Sequence, residues 1–374
     1  MYRTTNRPNT RIEVADALRG IAVAGIILFH AREHFNLYWS ALDLPRAGFG
    51  SWEQPVADAL GFLLSGKMYA IFALLFGLSF FIQSDNQAQR GNDFSRRFAW
   101  RMVLLFGIGL VNAAIYNGDV LTYYALFGLL MIPIGKLPNR WVWVIAALLF
   151  IQPLELWQYF SGHTLSIRGI EGMETLYPTL ATGTFAESAR VSLLYGPLSS
   201  FGWGLEHGRG TQTLLMFVLG MLAGRYRLFY DEGQHRHIWG GLLAVGITGT
   251  WLVPFEAMRN LMTATAIVST VVLLWYGWPG VRRALHGMTF FGRMSLTNYL
   301  LQSLLGTALF YNWGMGLYRH VDVIYGTLAG GGIILVQYAF CRIWLRRHSH
   351  GPVEWLWKKL TWLDIPFLDR KIAS

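Results

Sequence analysis

The stretch "DALRGIAVAGIILFH", residues 16–30, decides the fold of this chain, because it is an apolar helical segment with ionisable groups at both ends. Asp16 and Arg19 stand at its beginning, His30 stands at its end, and no charged residue separates Arg19 from His30. This pattern is typical of a helix that crosses a membrane and carries polar anchors or polar functional groups at the two surfaces.

The composition extends that interpretation to the whole chain of 374 residues. Hydrophobic residues make up 53% of it and charged residues only 14%, whereas soluble domains carry about 25% charged residues. Apolar stretches recur along the chain, each long enough to cross a hydrocarbon core of about 30 Å. We therefore predict an all-α polytopic membrane protein with about ten transmembrane helices. A division into two five-helix halves is a further hypothesis.

The basic residues lie in clusters between the apolar stretches, as is typical of the topology of a membrane protein. The formal net charge of +10 could indicate a nucleic-acid partner, but the 31 Lys and Arg residues gather between the apolar stretches. Arg96, Arg97 and Arg101 lie in one such cluster, and Arg346 and Arg347 lie in another. Because Lys and Arg favour cytoplasmic loops, the pattern predicts a multi-pass protein with both termini cytoplasmic and no nucleic-acid partner.

Two regions are predicted. Residues 1–345 form a single transmembrane domain whose long outer loop, residues 161–210, contains an apolar stretch that predicts an interfacial or re-entrant helix over the outer face. Residues 346–374 form a cytoplasmic tail that mixes tryptophans such as Trp355 with basic residues such as Lys358. That composition predicts an amphipathic helix in the membrane interface.

Metal and redox chemistry have little support in the sequence. The lone Cys341 excludes an internal disulfide or a CxxC site. HExxH pairs, Gly-rich phosphate loops and clustered Cys and His ligands are absent from the sequence. We predict no metal site and no tightly bound cofactor.

The first helix presents its ionisable groups on one face. Arg19 and His30 are eleven residues apart, which returns to nearly the same side of a helix after roughly 16 Å. Asp16 precedes Arg19 by one turn and can pair with it. In one interpretation, Asp16 and Arg19 form an interfacial cap and His30 anchors the helix at the level of the lipid headgroups. The other makes the stripe the lining of a polar cavity.

A short outer turn brings in a carboxylate. Asn117 and Gly118 are explained by the turn itself, but Asp119 lies on the same predicted side of the membrane as His30. A carboxylate that hydrogen-bonds a histidine orients it as a general base, so His30 and Asp119 are the candidate catalytic residues. Competing partners for the histidine are its chain neighbours Arg32, Glu33 and His34.

Further polar residues interrupt the apolar segments. Lys67 fits a snorkelling lysine or a cation that balances an anionic substrate. Asn298 and Gln302 share one helix face at the i,i+4 spacing, where they could bind substrate or join helices. The candidate substrate-binding or donor-binding residues are Asp16, Arg19, Lys67, Asn117, Arg293, Asn298 and Gln302.

Five blocks of sequence carry a family resemblance. They read "RIEVADALRG", "FALLFGLSFFIQ", "NGDVLTYYALFGLL", "GRMSLTNYLLQS" and "GPVEWLWKKLT", and they run in this order from residue 11 to residue 361. They resemble the signature blocks of the YeiB-like family of bacterial inner-membrane proteins (domain of unknown function 418). That family is grouped with transmembrane acyltransferases such as the acyltransferase-3 proteins and the lysosomal heparan glucosaminide N-acetyltransferase.

The resemblance implies a function. It implies a bundle of about ten spans in the bacterial inner membrane, an acyl donor taken from one side and an acceptor modified on the other. In acyltransferase-3 proteins a histidine at the position of His30 is the proposed catalytic residue. Acyl-CoA is then the expected donor, with its phosphates near Arg19. His30 would remove a proton from the acceptor or accept the acyl group itself.

Two functions from different classes stay open on the sequence. The first is an acyltransferase whose partners are membrane lipids and a small-molecule, glycan or lipid acceptor, with a homodimer as a candidate assembly. The second is a transporter or exporter of a small molecule or lipid, in which the same polar residues line a permeation path.

Overall fold

The computed structural model describes residues 11–37, 48–163, 172–230, 234–368 and 370–371. Helices account for nearly all of the regular structure in these ranges. The α-helices are α1 Glu13–Phe29, α2 Glu53–Leu64, α3 Lys67–Ala88, α4 Ser95–Ala113, α5 Leu121–Lys136, α6 Asn139–Phe150, α7 Pro153–Ser161, α8 Leu176–Thr182, α9 Phe185–Glu206, α10 Arg209–Arg225, α11 Arg236–Leu252, α12 Glu256–Gly277, α13 Pro279–Arg293, α14 Ser295–Phe310, α15 Val323–Trp344 and α16 Pro352–Thr361.

The remaining elements are short. A π-helical turn, His30–His34, continues α1, and 3-10 turns occupy Gly50–Trp52, Met173–Thr175, Leu317–Arg319 and Pro366–Leu368. Two strands of two residues each, β1 Asn92–Asp93 and β2 Arg370–Lys371, pair antiparallel and join the α3–α4 connection to the end of the chain.

The predicted all-α membrane fold is confirmed at this level. Among the described residues, five stretches are long and apolar enough to cross a membrane. They are Glu13–Arg32, Gly50–Ala88, Asn139–Ser161, Glu256–Gly277 and Val323–Trp344. The count of ten spans stays a prediction. Two of the predicted spans are also interrupted, because the chain turns at Gly66 between α2 and α3 and at Gln152 between α6 and α7, both with a left-handed backbone.

Helix α1 is largely buried in the bundle. It packs against α3, α13, α14 and α15, and its approach to α13 is a backbone contact. A Cβ atom on Gly20 would overlap the Met288 carbonyl, and one on Gly292 would overlap the Asp16 carbonyl. Small residues allow such close crossings in membrane helices, so these two glycines determine how deeply α13 seats against α1.

One end of the bundle collects basic side chains, and we call it the basic end. There Arg225 donates to the carbonyl oxygen of Gly135 at 2.6 Å, between the ends of α10 and α5. Arg97, at the start of α4, donates to the Leu363 carbonyl oxygen at 2.6 Å. The opposite end carries the loops that follow α1, α4, α11 and α14. Arginine side chains thus satisfy carbonyl groups where helices end or loops begin.

The stretch predicted as a helix over the outer face forms α8 and α9. Helix α9 begins with a capping box between Thr184 and Glu187, and it lies over the opposite end, where Gly196 contacts the backbone of Asn117 and Gly204 contacts the ring of Tyr123. Residues 164–171 of the predicted outer loop are outside the described residues. The placement of α9 at the membrane surface stays a prediction.

The predicted amphipathic tail contains α16, which is tied to the basic end. The carboxylate of Glu354 accepts from the backbone N–H of Leu296 at 2.6 Å and of Thr297 at 3.0 Å, and from the Thr297 hydroxyl at 2.5 Å. It therefore supplies, from a distant element, the acceptors that the first turn of α14 needs.

We expect Glu354→Ala to destabilise the protein by about 1–3 kcal/mol, because it leaves buried N–H donors of α14 without acceptors. The measurement is the thermal midpoint in detergent. Leu356→Ala, on an exposed position of the same helix, is the matched control and should change the midpoint little. Equal midpoints for the two variants would contradict the capping role.

Candidate functional site

His30 stands where α1 changes its helical geometry. The backbone N–H of Phe35 donates to the His30 carbonyl oxygen at 2.8 Å, which is the i to i+5 bond of a π-helical turn. Such turns inside helices occur frequently at functional sites. The side chain of His30 is buried, so the turn presents an ionisable group to the interior of the opposite end.

Aromatic rings surround the imidazole. The centroid of the His30 ring lies 5.0 Å from that of Tyr116, 5.7 Å from that of Phe35 and 6.4 Å from that of Tyr299. One amide reaches the ring through this cage, since Gln302 Nε2 lies 3.1 Å from His30 Nδ1. We call these five residues the His30 cluster.

Among the described residues, Asp119 forms no hydrogen bond with His30. Its carboxylate accepts from Asn112 Nδ2 at 2.9 Å and from the Thr122 N–H at 3.0 Å. The predicted pairing of Asp119 with His30 is therefore corrected. Asp119 stands three residues before Thr122, so its carboxylate caps the N-terminal end of α5 instead. Glu33 and His34, two of the competing partners for His30, have side chains that are not among those that the structure describes.

The other predicted residue of this turn, Asn117, also has a structural partner. The Tyr311 hydroxyl donates to Asn117 Oδ1 at 3.0 Å, and the Tyr299 hydroxyl accepts from the N–H of Val120 at 3.2 Å. These bonds attach the α4–α5 turn to α14 and to the residue that follows it. The turn therefore positions Tyr116 and Tyr299 beside His30.

At the basic end, Asp16 and Arg19 form the predicted pair. Arg19 Nη1 lies 3.2 Å from Asp16 Oδ1, and Arg19 Nη2 donates to Ser79 Oγ at 2.9 Å. Asp16 also accepts from Arg11 at 2.7 Å. Arg293 ends α13 next to this cluster and donates to the Ser349 carbonyl oxygen at 3.1 Å. Three arginines thus face one carboxylate, which leaves an excess of positive charge.

The helix face between these two ends is packed. Val23 and Ile26, which separate Arg19 from His30 on α1, are both buried among hydrophobic side chains. At these two positions, the stripe among the described residues is therefore apolar and packed, not the lining of an open polar cavity. A ligand that extended along this face would have to displace α1 from its neighbours.

Asn298 joins helices. Its Nδ2 donates to the Phe291 carbonyl oxygen at 3.1 Å and contacts Cys341 Sγ at 3.3 Å. Its backbone carbonyl oxygen accepts from Gln337 Nε2 at 3.3 Å. Of the i,i+4 pair that the sequence proposed, only Gln302 contacts His30. Asn298 holds α13, α14 and α15 together.

Lys67 belongs to a cluster that the sequence reasoning missed. Arg209 is buried and pairs with Glu256 at 2.5 Å and with Gln212 Oε1 at 2.9 Å, and its guanidinium packs against Gly66, next to Lys67. The sequence offered only a local signal for these two cations. Lys67 follows Gly66 and Arg209 follows Gly208, and each is the first residue of a helix. Their meeting is a long-range contact that spacing does not reveal.

Comparisons with known proteins divide the chain into two matched parts. The family model described as protein of unknown function (DUF418) matches residues 238–364, and the model described as heparan-alpha-glucosaminide N-acetyltransferase, catalytic, matches residues 11–178. A protein of Bacillus subtilis (strain 168) named uncharacterized protein YxaH is 30% identical over 396 residues, which cover 95% of each chain.

The chain belongs to the YeiB-like family. Uncharacterized protein YeiB of Escherichia coli (strain K12) is 27% identical over 387 residues, covering 92% of this chain and 95% of that protein. An uncharacterized 39.9 kDa protein of Bacillus acidopullulyticus is 27% identical over 97% of this chain and 98% of its own. In this YeiB-like protein the acyltransferase-like model covers His30, the DUF418 model covers Gln302, and the contact between the two joins the matched parts.

The α4–α5 turn generates a pH prediction. Burial raises the pKa of Asp119 to about 6, against the hydrogen bonds from Thr122 and Asn112, which lower it. The unfolded value is about 3.9, so the folded protein binds an extra proton between these two pH values. The contribution of Asp119 to stability is therefore present at pH 4 and lost as the pH rises through 6.

We expect Asp119→Asn, which cannot titrate, to gain stability relative to wild type by up to about 3 kcal/mol between pH 4 and pH 7. Thermal midpoints of both proteins across this range measure it. Asp93→Asn is the control with opposite sign, because hydrogen bonds from Ser95 and the charge of Lys136 hold the pKa of Asp93 below its usual value in spite of partial burial. Parallel profiles of wild type and Asp119→Asn would refute the assignment.

Proposed function

We propose that this YeiB-like protein is a membrane-bound acyltransferase that moves an acyl group from a cytoplasmic thioester donor to an acceptor at the outer face. The observation that supports it is the buried contact between His30, which lies in the region similar to the catalytic part of an N-acetyltransferase, and Gln302, which lies in the region matched by the DUF418 model. The proposal includes ten spans, both termini cytoplasmic and the bacterial inner membrane as location, which together put the basic end inside and the His30 cluster outside.

The donor proposed is acyl-CoA. Its phosphates suit the basic end, where Arg11, Arg19 and Arg293 surround Asp16, because guanidinium groups bind phosphate through charge-assisted hydrogen bonds. Its thioester must approach His30, roughly 16 Å away along α1. Since Val23 and Ile26 fill the direct path, we propose that donor binding separates α1 from α14 and α15.

The chemical step proposed uses His30 as a general base. Its imidazole removes the proton from an acceptor hydroxyl or amine, whose oxygen or nitrogen forms a bond to the thioester carbonyl carbon. The carbon–sulfur bond breaks, and the departing thiolate takes the proton back from the imidazolium. The acceptor class is a small molecule, a glycan or a lipid, and the matched catalytic model makes glucosamine the first compound to test.

The orientation of the Gln302 amide decides whether His30 can act in this way. With Gln302 Nε2 donating to Nδ1, the neutral ring carries its proton on Nε2, which is then a donor and not a base. Amide oxygen and nitrogen exchange places on a 180° rotation. Gln302 Oε1 is buried and makes no hydrogen bond among the described residues. After rotation, Gln302 Oε1 would accept a hydrogen bond from the proton on Nδ1, and Nε2 of the ring would be unprotonated, as a general base requires.

We expect His30→Ala to reduce acyl transfer by at least about 100-fold, the usual contribution of a general base. The assay follows thiol release from acetyl-CoA by the purified protein in nanodiscs, with glucosamine or an extracted lipid mixture as acceptor. The buried Cys341 is the chain's single cysteine and adds little background. His163→Ala, at an exposed histidine, is the control. Equal release by wild type and His30→Ala, or none from wild type with any acceptor, would contradict the proposal.

Gln302 is proposed as a positioning residue, and a pair of substitutions tests the direction of its hydrogen bond. Gln302→Glu supplies only acceptors and should keep activity within about 10-fold of wild type, because it can still hold a proton on Nδ1. Gln302→Leu should lose about 10–100-fold. Gln337→Leu removes another buried amide of the bundle and controls for a purely structural effect. Activity lost in Gln302→Glu but kept in Gln302→Leu would show that the amide donates to the ring.

A further inference from the structure

Three helices begin at one place on the opposite end. Helix α3 begins at Lys67, α10 at Arg209 and α12 at Glu256. The salt bridge between Arg209 and Glu256 joins the last two starts. Gly66 joins the first, because a Cβ atom on it would clash with the Arg209 guanidinium and the Asn260 amide. The N-terminal ends of helices carry unsatisfied N–H groups and attract anions.

The side chains at this junction add donors that no described residue accepts from. Lys67 is only 6% exposed, and it forms no hydrogen bond or ion pair with any described residue; its ammonium lies 5.2 Å from the centre of the Phe62 ring. Arg209 is 2% exposed, and its Nε has no partner there. Gln212 is fully buried, with an Nε2 that lacks an acceptor in the same part of the chain. Leaving buried donors unmatched is costly.

Among the described residues, the charged side chains at the junction sum to one net positive charge. Lys67, Arg209 and Arg259 are its cations, and Glu256 and Glu155 are its carboxylates. One carboxylate of the two, Glu256, is already bound by Arg209. A ligand that carries one negative charge and several acceptor oxygens would neutralise this excess and use the donors of Lys67, Arg209 and Gln212.

Apolar side chains next to the junction indicate which kind of molecule would carry the negatively charged group. Phe62 and Leu63, at the end of α2, and Trp251, at the end of α11, are exposed, Trp251 by 78%. The rings of Phe62 and Trp251 stack with their centroids 6.3 Å apart. Aromatic residues at a membrane surface lie at the level of the lipid headgroups, so the cations and the exposed rings match a headgroup above an acyl chain.

We propose that Lys67, Arg209 and Gln212, with Asn260 and the turn at Gly66, bind a phosphate oxyanion, the phosphodiester of an anionic phospholipid. The site is separate from His30, and the proposal does not depend on acyl transfer. A free phosphate ion presents the same oxygens without the acyl chains, so the two sources of the ligand can be told apart by experiment.

The experiment compares thermal midpoints of the full chain in three conditions. They are phosphatidylcholine nanodiscs, nanodiscs in which part of the lipid is phosphatidylglycerol, and phosphatidylcholine nanodiscs with inorganic phosphate at constant ionic strength. Because a ligand that binds only the folded protein raises its midpoint, we expect wild type to be stabilised by phosphatidylglycerol. Stabilisation by inorganic phosphate as well would support the site with free phosphate as a second source.

Two variants connect the shift to this site. Lys67→Met removes the ammonium group, and Gln212→Glu keeps the acceptor for Arg209 but adds a negative charge; both should lose most of the phosphatidylglycerol shift. Gln212→Glu also serves if Lys67→Met does not fold. Lys136→Met, at an exposed lysine of the basic end that pairs with Asp93, is the matched control and should keep the shift. An unshifted wild type, or a full shift in both site variants, would overturn the proposal.

Discussion

The backbone crossing of α1 and α13 is the constraint that positions the ionisable groups of α1. Without side chains at Gly20 and Gly292, the two helices approach until carbonyl groups fill the space that a Cβ atom would take. In lipid, helix association relies on close packing rather than on the hydrophobic effect. The crossing therefore fixes α1 against α13 beside Asp16 and Arg19, and the helix then carries His30 to the other end.

That constraint also explains why the polar groups divide between two ends. The middle of α1 packs tightly through residues such as Val23 and Ile26, and buried polar groups there would need partners that packed helices rarely offer. At the ends, loops and helix termini supply carbonyl and N–H groups. Arginines bind carbonyl groups at the basic end, as Arg225 does for Gly135, and carboxylates bind N–H groups at both ends, as Glu354 does for Leu296 and Asp119 does for Thr122.

Local chemistry was predictable from the sequence, and long-range pairing was not. The spacing of Asp16 and Arg19 predicts their ion pair, and the structure has it at 3.2 Å. His30 and Gln302 were both candidates, but their contact joins residues 272 positions apart, which no periodicity encodes. Asp119 was assigned to His30 because both lie on one predicted side of the membrane, whereas its carboxylate accepts from Asn112 and Thr122, which flank the same turn. Arg209 and Glu256 were missed because each looks ordinary in its own segment.

Helix α2 connects the two polar clusters of the opposite end. Gly61 packs against the guanidinium of Arg32, two residues after His30, and the next residue, Phe62, lies beneath the ammonium of Lys67. Successive residues of one short helix therefore contact the chain segment of the His30 cluster and the Lys67–Arg209 junction. Because packed elements shift as units rather than deform continuously, a displacement of Phe62 would be shared by Gly61, which packs against Arg32 of the π-helical turn.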